Sequence, residues 1–63
     1  MAQVEIRKAD GRRIESFSAD VDAEDAAAAV GLLRRWAKTA RRDVGGLAIA
    51  VRTPRGAWRE YRA

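Results

Sequence analysis

The sequence predicts an α+β fold in the order ββαββ: a four-stranded sheet of two hairpins, packed on one face by a single amphipathic helix. Three observations predict it. The first and last thirds hold short segments in which apolar and polar residues alternate, the period of a half-buried strand. Each pair of segments brackets a glycine-containing turn, at Ala9-Asp10-Gly11 and at Thr53-Pro54-Arg55-Gly56. Between the pairs runs a long stretch with the 3.6-residue period of a helix. The 63 residues read as one domain, with strands at about 3–8, 12–18, 47–52 and 57–62 and a helix at about 22–42.

Gln3 to Lys8 is the first strand, with Val4 and Ile6 on one face and Glu5 and Arg7 on the other. The turn allows two registers. A three-residue loop with Gly11 in the left-handed conformation pairs Ile6 with Ile14. A two-residue Asp10-Gly11 loop pairs Val4 with Phe17 and sets Ile6 against Glu15. The first is preferred, because it turns no carboxylate toward the core. Ile14 and Phe17 have opposite parity in the second strand, so either a bulge lies between them or Phe17 covers a sheet end; the alternative leaves Phe17 on the open face.

Asp22 is the expected N-cap, with Asp25 three residues on in a position like that of a capping box. Ala26, Ala29, Val30, Leu33, Trp36, Ala37 and Ala40 then fall on one stripe, and Arg34, Arg35, Lys38, Arg41 and Arg42 fall outside it. Acid before the helix and base toward its end both oppose the helix macrodipole. Gly31 lies off the stripe and costs about 1 kcal/mol relative to alanine. Gly45 or Gly46 suits the left-handed position after the helix.

Leu47 to Arg52 is the most apolar strand and belongs in the middle of the sheet. Leu47, Ile49 and Val51 face one way; Ala48, Ala50 and Arg52 face the other. In the last strand Trp58 and Tyr61 have opposite parity, so one of them faces away from the helix unless a bulge intervenes. The expected core is Val4, Ile6, Ile14, Phe17, Val21, Val30, Leu33, Trp36, Leu47, Ile49 and Val51. In topology alone, this order resembles the β-grasp arrangement of small immunoglobulin-binding domains. That resemblance implies parallel pairing of the two terminal strands at the centre of the sheet, and it carries over no binding residues. Ile6-Arg7 to Gly11 and Val51-Arg52 to Gly56 share a spacing that two hairpins solving one turn problem explain.

The composition excludes several kinds of chemistry. With neither cysteine nor histidine, the chain has no disulfide, thiol nucleophile, Ser-His-Asp triad or ordinary zinc site. No phosphate-binding glycine loop or dinucleotide fingerprint is present. No cofactor or metal is expected, and the chain reads as non-enzymatic. Glu5 and Glu15, read as lying across a strand pair beside Arg7 and Arg13, form an exposed charge lattice rather than an acid–base pair. Asp20, Asp22, Glu24 and Asp25 lack the calcium-loop spacing, and helix capping explains them. No apolar run approaches a membrane span and the N-terminus lacks an apolar signal core, so a cytoplasmic location is expected. Fourteen alanines leave few large core side chains, and a thin core makes a homodimer one expectation. Eleven arginines against two lysines suggest a GC-rich coding sequence, such as that of an actinobacterium or one of its phages.

The net charge of +4 is unevenly spread: residues 1–33 carry four basic and seven acidic side chains, and residues 34–63 carry nine and two. Two surfaces follow. The sheet face away from the helix, with Arg7, Arg13, Arg52, Trp58, Arg59 and Tyr61 as candidate contacts, predicts a small protein-binding module of adaptor or inhibitor type, its protein partner unknown. The alternative is nucleic-acid binding through Arg34, Arg35, Lys38, Arg41 and Arg42 and the basic second half.

Overall fold

Which strand sits where follows from how apolar each one is. The computed structural model describes residues 1–63. β1 (Ala2–Lys8) and β2 (Arg13–Ala19) form the first hairpin, α1 (Ala26–Ala40) follows, and β3 (Leu47–Arg52) and β4 (Trp58–Arg62) form the second. The strands make one open antiparallel sheet in the order β2-β1-β3-β4. The helix packs on one of its faces, mainly over β3 and β4. The predicted ββαββ class is therefore the observed one.

The strand order differs from the arrangement the sequence resembles. The central pair is β1 with β3, antiparallel, and β4 lies at an edge. Five of the six residues of β3 are buried, whereas β4 is largely exposed. A strand buried on both faces needs a neighbour on each side, while a strand rich in charge tolerates an open edge.

Both hairpins use the same turn. Lys8 N–H bonds to the Arg12 carbonyl and Gly11 N–H to that of Lys8; Thr53 N–H bonds to the Ala57 carbonyl and Gly56 N–H to that of Thr53. Gly11 and Gly56 both have φ of +87°, the conformation a side chain would strain. The first loop is thus the three-residue one preferred from the sequence, but the register beyond it is not. A bulge shifts the pairing, so that Arg7 opposes Arg13 while Ile6 opposes Glu15 and Val4 opposes Phe17. Ile14 is the extra residue. The bulge resolves the parity conflict, since Ile14 and Phe17 both pack against the core. The carboxylate placed opposite Ile6 is not desolvated: Glu15 is exposed on an edge strand and accepts a hydrogen bond from the Trp36 indole N–H at 2.8 Å. Glu15 and Glu5 are therefore not partners across the strands; Glu5 opposes Ser16.

The helix is shorter at both ends than its periodicity predicts. Asp25, not Asp22, is the N-cap; its carboxylate accepts from Ala28 N–H at 3.0 Å. Asp22 instead closes the preceding turn by accepting from Glu24 N–H. At the other end the left-handed residue is Arg41, with φ of 56°, and Arg42 N–H returns to the Ala37 carbonyl at 2.8 Å. Gly46, expected there, is left-handed in the later turn that leads into β3.

The core is Val4, Ile6, Ala23, Ala29, Leu33, Ala37, Leu47, Ile49 and Val51. Ile14, Phe17, Val21 and Trp36, expected inside it, are only half-buried against its rim, and Val30 is half-buried as well. Three alanines take their place, because small side chains let the backbone of the helix and its approach come close to the sheet. Tyr61 joins this face and donates its hydroxyl to the Ala23 carbonyl, tying the last strand to the segment before the helix. No helix is long and apolar enough to cross a membrane.

Candidate functional site

The sheet face away from the helix is built by strand alternation alone. Val4, Ile6, Ile49 and Val51 face α1, so Glu5, Arg7, Ala48, Ala50 and Arg52 face outward. β4 pairs regularly with β3, setting Trp58 beside Arg52, Glu60 beside Ala50 and Arg62 beside Ala48. Trp58 is therefore the aromatic on the outer face. Arg59 and Tyr61, both expected as contacts there, lie on the helix side opposite Val51 and Ile49. Arg59 instead pairs with Glu24 at 3.6 Å. A regular strand without a bulge leaves them no other choice. Glu5 lies on the outer face beside Arg7 as the alternation predicts; Glu60 and Arg62 join it there without having been expected, and their parity with Trp58 is the signal that finds them.

Ala48 and Ala50 are not a bare flat surface, as their size suggests. Both are fully buried, although they lie outside the helix-side core. Longer neighbours close over them. Arg7 is the hub of this cover. Its Nε and Nη2 donate to one oxygen of Glu5 at 3.0 and 2.8 Å, and its Nη1 donates to Glu60 at 3.3 Å. Ala50 pairs with both of those glutamates, so the guanidinium spans the alanine beneath. The second oxygen of Glu5 meets Arg13 at 3.5 Å, and Glu60 also meets Arg62 at 3.3 Å. The hydrogen bond to Glu5 raises the Arg7 pKa above its ordinary value, partial burial opposes that, and Glu60 adds to it. Arg7 is thus charged at every ordinary pH.

The hub also meets the aromatic. The guanidinium carbon of Arg7 lies 5.2 Å from the Trp58 ring centroid, and that of Arg52 lies 5.9 Å from it. Both distances are within cation–π range. Arg52 has no carboxylate partner in any ion pair. Apart from Met1, Trp58 is the only large apolar residue left exposed, at 36%.

The other predicted surface is also on the outside. Arg34, Arg35, Lys38, Arg41 and Arg42 are all exposed, and none belongs to an ion pair. The macrodipole explains them less well than the sequence suggests. Its field falls off within a turn, and Lys38 is the only basic residue in the last turn, with no acid in the first. The four acids before the helix do not converge on a cation site; no three acidic side chains gather anywhere. The surface depressions are open grooves, and the two larger ones border the second hairpin turn and the segment before the helix. Comparison with known protein families, curated proteins and solved structures finds no match.

Proposed function

We propose that the chain is a small non-enzymatic binding module that docks a protein partner through the outer sheet face. Trp58 is the anchor, Arg52 the free cation beside it, and Arg7, itself held by Glu5 and Glu60, the residue that steadies the ring. The observation that carries this reading is the exposed Trp58 ring with two guanidinium groups over it. Aromatic and arginine side chains dominate interface energetics. A ring already held by neighbours loses little freedom on binding, which lowers the cost of association. The same arrangement counts against stacking of nucleic-acid bases. A base would have to displace a guanidinium to reach the ring face, whereas a protein side chain can pack on the exposed edge. A partner with an apolar group flanked by carboxylates fits the free charge on Arg52.

The test is capture from nuclease-treated lysate on the immobilised protein, on W58A and on R52E. A specific partner should be retained by the parent chain and lost at least tenfold by both variants. A partner that W58A and R52E hold as well as the parent does would refute this use of the face. Sedimentation analysis of the same three proteins decides whether the partner is a second copy.

A further inference from the structure

We infer that the end of the molecule formed by the first hairpin turn and the helix C-terminus binds the sugar-phosphate backbone of duplex nucleic acid, without regard to sequence. Lys8 is paired with Leu47, the first residue of β3, and the chain between α1 and β3 turns at the same end. The fold therefore places Lys8 and Arg12, from the acidic half of the sequence, at the same end as Lys38, Arg41 and Arg42, from the basic half. All five are exposed, and none has an ion-pair partner. The carboxylates of the two turns here are each directed onto their own backbone: Asp10 accepts from Arg12 N–H at 2.9 Å and Asp43 from Gly45 N–H at 3.0 Å; Glu15, on the adjoining strand, is taken up by the Trp36 indole. Asp20, Asp22, Glu24 and Asp25 sit at the other end, where β2 stops and α1 starts.

Arg41 supplies an independent observation. It holds the left-handed position that closes the helix, with φ of 56°, a conformation that glycine adopts freely and that the Cβ of any other residue disfavours. A cation thus stands where glycine would cost the fold less.

The surroundings select the occupant. This end carries no exposed aromatic, so it has neither a stacking platform for single-stranded bases nor the anchor of a protein interface. The two exposed large apolar residues, Met1 and Trp58, lie toward the opposite end, so it has nothing to insert into a bilayer. What remains is a bracket of cations, mostly arginine, which matches phosphate oxygens, a contact that carries no sequence information.

Fluorescence anisotropy with a labelled 20-base-pair duplex of arbitrary sequence tests this. Binding at about 50 mM salt should be roughly micromolar, and log affinity should fall with log salt at a slope of roughly −4 for four to five phosphate contacts. The charge reversals K8E/R12E and K38E/R42E should each weaken binding at least tenfold and reduce the slope by about 2, with circular dichroism unchanged. W58A should bind the duplex as the parent does, which separates this site from the sheet face. R41G should raise Tm by a few degrees while weakening binding; a merely structural residue would not move the two in opposite directions. Absence of duplex binding at about 50 mM salt would overturn the inference. So would K8E/R12E binding unchanged, or tighter binding to phosphatidylserine vesicles than to the duplex.

Discussion

The two faces of the sheet bury the same strand by opposite means. Toward the helix, β3 presents Ile49 and Val51 to a dry core that also holds Val4, Ile6 and Leu33. Away from it, β3 presents Ala48 and Ala50, and these are buried just as completely beneath Arg7, Glu5, Glu60 and their neighbours. One side excludes water with branched apolar groups. The other does so with the stems of charged residues whose heads remain wet. Burial in this small chain is therefore no guide to which face carries the stability. The apolar side contributes through transfer and packing. Exposed ion pairs of the kind found on the charged side contribute about 0–1 kcal/mol each.

Substitutions can break that contrast in order of size. I49A removes a fully buried branched side chain beneath the helix and should cost about 2–5 kcal/mol, read from urea denaturation. A50L places new bulk under the Arg7 guanidinium and should cost less, about 1–3 kcal/mol. Because the cover can move aside, its loss should be accompanied by increased Trp58 fluorescence sensitivity to soluble quenchers. E60Q removes one of two carboxylates from Arg7 and should cost under about 1 kcal/mol, with the difference vanishing in high salt. If I49A and A50L proved equally damaging, the charged cover would be as rigid as the core, and the contrast would fail. The hub itself should be insensitive to pH on the alkaline side. A cation whose folded-state pKa is raised stabilises fully below its unfolded value and loses that contribution only as pH climbs through the folded one, and for Arg7 that lies above the ordinary arginine range.

Periodicity carried most of the fold. The alternation in β1 and β3, the helical stripe around Leu33 and the shared turn spacing were all legible, because each is a local consequence of side-chain geometry. Strand order was not, since two hairpins joined by a helix can be laid side by side in more than one way. What decided it was a global balance between the burial of β3 and the exposure of β4. The register of the first hairpin departs from the expected one for a specific reason. A carboxylate opposite Ile6 would be costly if buried in the core, but an edge strand leaves Glu15 room to reach water and the Trp36 indole. Alanine also does more in this core than its size suggests. Ala23, Ala29 and Ala37 are core residues because closeness, rather than bulk, is what the helix needs there. At the candidate site, Arg7, Arg13, Arg52 and Trp58 were legible and do share a face. Arg59 and Tyr61 were not separable from them until the pairing of β4 with β3 fixed which parity pointed outward.

Placing β1 against β3 at the centre of the sheet also governs how the chain reaches this state. Each hairpin closes over three residues and can form within microseconds. Neither is stable alone in water, because an isolated pair of strands buries too little. The two become one sheet only when Ile6 meets Ile49, and that meeting closes a loop containing all of β2 and the whole helix. Its entropy must be lost before the central ladder returns any free energy. By that topology, the search for this contact rather than the formation of any single element is expected to limit the folding rate, which stopped-flow refolding can check.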